Sequence, residues 1–293
     1  MTEYVNTIDA LGDDAVIDII VNRTITEFMD DTLTEVGQYA FYGCPALKSI
    51  YLPNVTIIKN DAFYGSGPLT EANFSSVASI GTGAFRTSKL KKAVFPSVIT
   101  AIEQNLFREC TSLEEADFPE LVTGGSSMFY GCPELAVVNF PKLTAVTAYM
   151  FYDCKKLIDV KFPMATTIEN SAFQNTTSLR SADFPKLTAI KGFNNFGSFN
   201  FKECLKTLIL RSETMCTLEN ISAFGNFGVT FPNTAIGGGT GYIYVPRALL
   251  SDSDETKDYR RATNWSEFAT QFRALEDYTV DGTVTGELDE TKI

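Results

Sequence analysis

The side chains that could do chemistry here are carboxylates and thiols, because the chain has no histidine. That absence removes Ser-His-Asp and Cys-His catalysis, histidine-ligated metals and histidine-based pH switching. Four of the six cysteines, Cys44, Cys110, Cys132 and Cys154, each stand three residues after a phenylalanine. Ser66 and Thr176 hold the same place elsewhere, so the register describes a small buried slot. Three readings of these thiols stay open. One is a buried ladder of thiols. The second is a disulfide between neighbouring turns, for which parallel side chains are poorly aimed. The third is a metal site, although Cys-x-x-Cys spacing is missing. Cys204 and Cys216 lie outside the register. Glu115, Asp117 and Asp159 supply the carboxylates that glycoside cleavage would need. Nothing in the sequence gives them a pocket or a raised pKa, so no catalytic residue, cofactor or metal ligand is assigned.

The elements that carry these groups are set by a repeat. Phe41, Phe63, Phe85, Phe107, Phe129, Phe151 and Phe173 are each 22 residues apart. Leu47, Leu69, Leu90, Leu113, Leu135, Leu157 and Leu179 follow them. A small or branched residue comes next, as at Ile50, Ala116 and Val160, and then a large one, as at Leu52, Phe118 and Phe162. Proline usually comes after it, as at Pro53, Pro119 and Pro163. Leu-x-x-Ile-x-Leu-Pro reads as a short strand with alternate residues facing inward, ended by a residue that cannot donate to a ladder. One such unit cannot bury its apolar face alone, and stacked units can.

Alternation then points Tyr51, Asn73, Val94, Asp117, Asn139, Lys161 and Asp183 outward. Two residues before each lie Ser49, Glu71, Lys92, Glu115, Val137, Asp159 and Ser181. Together these predict a mixed, mildly acidic sheet face. It reads either as a merely solvated face or as a ligand surface, which solenoids often place there. The candidate ligand-binding residues are Tyr51, Asn73, Glu115, Asp117, Asn139, Asp159, Lys161 and Asp183.

The expected fold is a repeat solenoid of short stacked parallel strands with α-helical caps at both ends. Residues 1–36 read as an N-terminal cap with a degenerate half repeat, and 37–211 as the solenoid. Residues 212–277 read as a C-terminal cap with a final strand, and 278–293 as an acidic tail. A helix is expected over Thr7 to Val21, and another from Trp265, Phe268, Ala269 and Phe272 at i, i+3, i+4 and i+7. A last strand is expected at Tyr242–Val245 and a hairpin around Asp281-Gly282. The third unit slips by one residue at Leu90 and recovers near Ile99. The unit after Phe173 arrives late, with Phe199, Leu205, Leu208 and Leu210 on the template after a four-residue insertion.

The chain has 293 residues, 44% of them hydrophobic, and a formal net charge of −12. An acidic surface disfavours nucleic acid and anionic membranes as partners. No run approaches the roughly 18 apolar residues of a membrane helix. The first cation of the sequence is Arg23, so the basic start of a signal peptide is not visible.

The unit Leu-x-x-Ile-x-Leu-Pro-x-Val-Thr-x-Ile…Ala-Phe-x-x-Cys, over roughly residues 25–210, resembles the BspA-like leucine-rich-repeat family. The resemblance implies a right-handed solenoid and, since members are often bacterial surface adhesins, binding of a protein or glycan on a cell surface. The chain's opening and its end, "GYIYVPRALL" onward, are similar to those of repeat proteins in gut-bacterial prophages. That implies a phage tail-associated or virion surface protein that recognises the host, with a bacterial cell-surface adhesin and a virion structural or decoration protein as the alternatives. It also implies a virion or cell-surface location, and other virion proteins as a second class of partner.

Overall fold

The computed structural model describes residues 25–69, 71–101, 103–193, 195–196, 205–224, 235–236, 239–280 and 283–284. The chain divides into two compact units, Met1–Phe140 and Pro141–Ile293. The helix expected over Thr7 to Val21 lies outside the described residues, as does Phe199.

The first unit is a β-solenoid in which each turn of about 22 residues adds one rung. Three-residue strands form one side, Glu27–Met29, Ser49–Tyr51, Glu71–Asn73, Lys92–Val94, Glu115–Asp117 and Val137–Asn139. Every pairing among them is parallel. Phe28 faces Ile50, so the degenerate half repeat is a full rung. A second side, not expected as strands, is built of two-residue strands such as Glu35–Val36, Ile57–Ile58 and Ser79–Ile80. Its inward residues are the apolar closers of each unit, Val36, Ile58 and Ile80.

On the third side the Ala-Phe corner is itself hydrogen-bonded from rung to rung. Phe41 N donates to Ala62 O at 2.6 Å, and Phe63 N to Ala84 O at 2.7 Å. This corner bends sharply on both sides of the phenylalanine. Two residues before it, Tyr39, Asp61, Asn105 and Ser127 have φ between 53° and 62°. Two residues after it, Thr87 and Glu109 have φ of 56° and 61°, where Gly43, Gly65 and Gly131 stand in other turns. The corner therefore needs two left-handed residues per turn.

Inside, phenylalanine fills two columns. Phe41, Phe63, Phe85, Phe107 and Phe129 stack at 4.9 to 5.4 Å between centroids. Phe74, Phe95, Phe118 and Phe140 form the second column, at 5.1 to 5.6 Å. The columns meet edge to face, as Phe85 meets Phe95 at 63°. Both contact types suit the ring quadrupole better than direct overlay. The slip of the third unit is present. Lys92 faces Glu115 and Thr100 faces Thr123, each 23 positions on. Gly83 N donates to Gln104 O in the ordinary register, so the extra residue falls between Ala101 and Gln104, just past Ile99.

The second unit follows the same plan. Asp159–Lys161, Ser181–Phe184, Thr207–Leu210, Tyr242–Val245 and Phe272–Ala274 form one parallel sheet. Ala145–Val146, Thr167–Ile168, Ala189–Ile190 and Thr217–Leu218 form the other. Ser181 faces Thr207, 26 positions on, which is the four-residue insertion. The phenylalanine column runs Phe151, Phe173, Phe196 and Phe224, with centroids 5.3 to 5.6 Å apart. Phe196 thus holds the place expected of Phe199.

Among the described residues, the C-terminal cap is not α-helical. The segment Trp265–Gln271 is a 3-10 run broken at Phe268 by non-helical angles, and every helical segment among the described residues is of that type. The reason lies in the next residues. Phe272–Ala274 is the last rung, paired with Tyr242–Val245, so Phe272 belongs to a strand rather than to a second helical turn. Tight 3-10 turns reach the strand over a few residues. Side chains from this cap close the edge strand Thr217–Leu218. Asn264 Nδ2 donates to Leu218 O at 2.7 Å, and Trp265 Nε1 to Cys216 O at 2.7 Å. Tyr259 Oη accepts from Cys216 N. Beyond the cap, Thr279–Val280 and Thr283–Val284 pair antiparallel around residues 281–282.

Candidate functional site

The expected surface falls on two units, and each carries its own face. On the first unit, cross-strand partners set the geometry. Lys92 Nζ lies 2.6 Å from Glu115 Oε2, and the neighbouring Lys91 Nζ 3.2 Å from Glu114 Oε1. The Glu115 carboxylate holds the exposed Lys92 ammonium above its ordinary pKa. Asn139 Nδ2 donates to Asp117 Oδ1 at 2.7 Å. Glu115 and Asp117, two of the three carboxylates considered for chemistry, are thus engaged by neighbours one rung away. Tyr51 is 44% exposed and Val137 56%, so apolar groups break up the polar surface. Asn73 stands in its strand in register with Tyr51, and its side chain lies outside the described ones.

On the second unit, Asp159 and Lys161 are outward as expected, but Asp183 is not an exposed residue. It is 5% exposed. Arg211, one residue past the strand of the next rung, lies over it, with Nε 3.0 Å from Oδ1 and Nη2 3.1 Å from Oδ2. Burial pushes the Asp183 carboxyl above the usual range, and Arg211 and Lys161 oppose that rise. Partial burial also raises Asp159, opposed by Arg180. Alternation indicated which way Asp183 points but not what the next turn lays over it.

Three residues of this face were missed by sequence reasoning: Arg211, Tyr244 and Tyr278. Tyr244 follows from the register Lys161, Asp183, Ile209, Tyr244, Arg273 across the sheet. The insertion before Thr207 hides that register in the sequence. A ridge on the corner of the first unit was missed too. Tyr42 and Tyr64 stack at 4.9 Å, and Arg108 lies over Tyr130 at 4.4 Å. Its signal was available, since these residues directly follow the repeated phenylalanine.

The cysteine register is a buried slot. Cys44, Cys110, Cys132, Cys154 and Cys216 are buried thiols with no disulfide among them. Cys110 Sγ donates to Phe85 O at 2.9 Å, and Cys132 Sγ to Phe107 O at 3.1 Å. Burial pushes the Cys216 thiol up to about 12. Among the described residues, no group of three His, Cys, Asp or Glu side chains is placed to hold a metal ion. No helix among them is long and apolar enough to cross a membrane.

The model of the BspA type leucine rich repeat region matches residues 22–124 and 78–208, in six copies. The chain belongs to the BspA-type leucine-rich-repeat family. Among curated proteins it has no match. Solved structures that resemble this BspA-type chain include a leucine-rich repeat protein from Eubacterium ventriosum, at 30% identity, covering 52% of this chain and 43% of that one, with a TM-score of 0.48. A leucine-rich repeat protein from Bacteroides ovatus is 21% identical over 78% of this chain and 64% of its own, with a TM-score of 0.47. A leucine rich cell surface protein from Faecalibacterium prausnitzii is 18% identical over 84% and 82%, with a TM-score of 0.34. This chain spans less than two thirds of the length of the first two.

Proposed function

We propose that this chain is a non-enzymatic recognition protein that binds a protein or glycan on a cell surface through its outward strand residues. One observation carries the reading. Core positions repeat from rung to rung while the outward positions in register with them change. Phe63, Phe85, Phe107 and Phe129 stand 22 residues apart and are all fully buried. Beside them the outward series runs Tyr51, Val94, Asp117 and Asn139. A rigid frame with freely varied side chains can be shaped to a ligand without cost to the fold. The setting we propose is a phage virion, in a tail-associated position facing the host. It is supported by the likeness of the chain's two ends to prophage repeat proteins.

The test is a pull-down from host cell envelopes with two full-length variants. The first reverses Glu115, Asp117 and Asp159 to Lys. The second replaces the polar tail residues Glu287, Asp289 and Glu290 by Ser. Loss of binding in the first alone supports the strand face, with the rim charges acting mainly on association rate and salt dependence. Parent-like binding by the first together with loss in the second would assign recognition to the tail.

A further inference from the structure

Part of the outward face of the second unit's sheet, around Asp183 and Ile209, is covered. Ile209 stands in register between Asp183 and Tyr244. Its strand neighbours Leu208 and Leu210 are core residues, so alternation sends Ile209 outward. Yet Ile209 is 2% exposed, against 44% for Tyr51 at an outward position of the first unit.

The C-terminal segment stands on this side. Tyr278 follows the 3-10 turn Leu275–Asp277 and sets its ring edge-to-face on Tyr244, with centroids 4.7 Å apart at 70°. The charges of Asp183, Asp159 and Arg211 are near enough to act on its hydroxyl. The segment is lightly held. Arg247 reaches Asp277 with both side chains more than half exposed, and Glu276 accepts from Arg247 N at 3.1 Å. Exposed pairs of this kind contribute little. The strands that follow, Thr279–Val280 and Thr283–Val284, pair with each other in a two-stranded ladder, which is marginal by itself. Such a segment belongs to the low-stability end of a structure.

We propose that Leu275–Tyr278 is a detachable strap, and that the surface beneath it binds an aromatic side chain presented by a protein partner, which displaces Tyr278. The surface consists of Ile209, the Tyr244 ring and the Asp183–Arg211 pair. Its present occupant defines the chemistry. An aromatic ring meets Tyr244 edge-on, with its hydroxyl in the field of the Asp183 carboxylate and the Arg211 guanidinium. Tyrosine joins an apolar body to such a tip, which is why it recurs at protein interfaces. The inference rests on the reading of the outward strand residues as a recognition surface, and narrows the ligand on this unit to protein.

The experiment uses the full chain carrying Ile209→Cys, with and without Tyr278→Ala, and reads native thiol labelling residue by residue by mass spectrometry. Cys154 and Cys216 of the same unit are the internal controls. The introduced thiol is expected to label at least tenfold faster than Cys154, and at least tenfold faster again with Tyr278→Ala. A peptide of the sequence 275–280 should then slow labelling in the Tyr278→Ala protein, and the same peptide with alanine for tyrosine should not. Labelling as slow as Cys154 in both proteins would make the segment a fixed part of the core. Protection by a host polysaccharide fraction but not by the peptide would overturn the protein partner. Hydrogen exchange on the unmodified chain gives a second reading: faster exchange at the Tyr278 amide than at Thr207–Leu210 is expected, and equal protection would refute the strap. The labelling rates, the peptide competition and the hydrogen exchange need no host ligand, so failure of the envelope pull-down leaves them intact.

Discussion

Phe107 and Phe129, consecutive members of the first unit's column, lie with ring planes 2° apart and centroids at 5.4 Å. Each is fully buried and each also meets a ring of the second column. Removing one ring from the middle of such a stack leaves a cavity walled by aromatic faces that cannot close over it. Phe129→Ala should therefore cost about 3–5 kcal/mol. Urea or thermal unfolding of the two proteins measures it, and an unchanged midpoint would contradict the stack as the centre of stability.

Ser66 occupies the slot that cysteine fills at Cys44 and Cys110. It is fully buried, and its hydroxyl has no hydrogen-bond partner among the described residues. A buried hydroxyl left unpaired costs about 1–3 kcal/mol. Ser66→Cys replaces it with a group of similar shape that tolerates an apolar setting, as Cys132 does. The expected result is a gain of about 1 kcal/mol in unfolding free energy. A loss of stability would show that the slot is shaped to each rung separately.

Asp258 gives the clearest dependence on pH. Its side chain is 1% exposed and accepts from Arg260 Nε at 2.8 Å, Arg260 N at 3.0 Å and Arg261 Nε at 3.4 Å. The hydrogen bond from Arg260 is the largest influence and holds the carboxyl below its ordinary 3.8. A folded-state pKa below the unfolded one gives stability that is present above 3.8 and lost as pH falls through the folded value. Asp258→Asn should cost about 2 kcal/mol at pH 7. The gap between parent and variant should narrow below pH 3.8, and denaturant titrations on both sides of that value test it. Asp183 runs the other way, because burial raises its pKa and protonation relieves that burden as pH falls.

The rungs were legible because each needs the same buried residues at the same spacing, and Phe41 to Phe173 repeat them without a break. The strand Tyr242–Val245 was legible for a similar reason, since alternation and the following Pro246 mark it, but it is not the last one, because Phe272–Ala274 pairs beyond it. The two-residue strands were not legible: their inward residue recurs every 22 positions, as at Ile58 and Ile80, but two residues are too few to show the alternation that marks a strand. The cap failed through a coincidence of spacing. Trp265, Phe268 and Phe272 suit one face of an α-helix, and equally suit a tight turn followed by a strand. On the candidate faces, direction could be read and cover could not. Asp183 points outward by parity, but Arg211 and Tyr278 reach it from rungs and segments whose distance in the chain is set by an insertion.

The closure of Thr217–Leu218 by Asn264, Trp265 and Tyr259 has a consequence for how such a chain can change in length. The carbonyls that an additional rung would engage there already accept from side chains, so an incoming strand finds no free register. Two copies brought end to end at this terminus have no template for fibre growth through that ladder. Duplication of a whole 22-residue unit in the interior meets no such block, since each rung is read only by its immediate neighbours. The number of rungs, and with it the length of the variable faces, is free to drift upstream while the terminal plug stays constant.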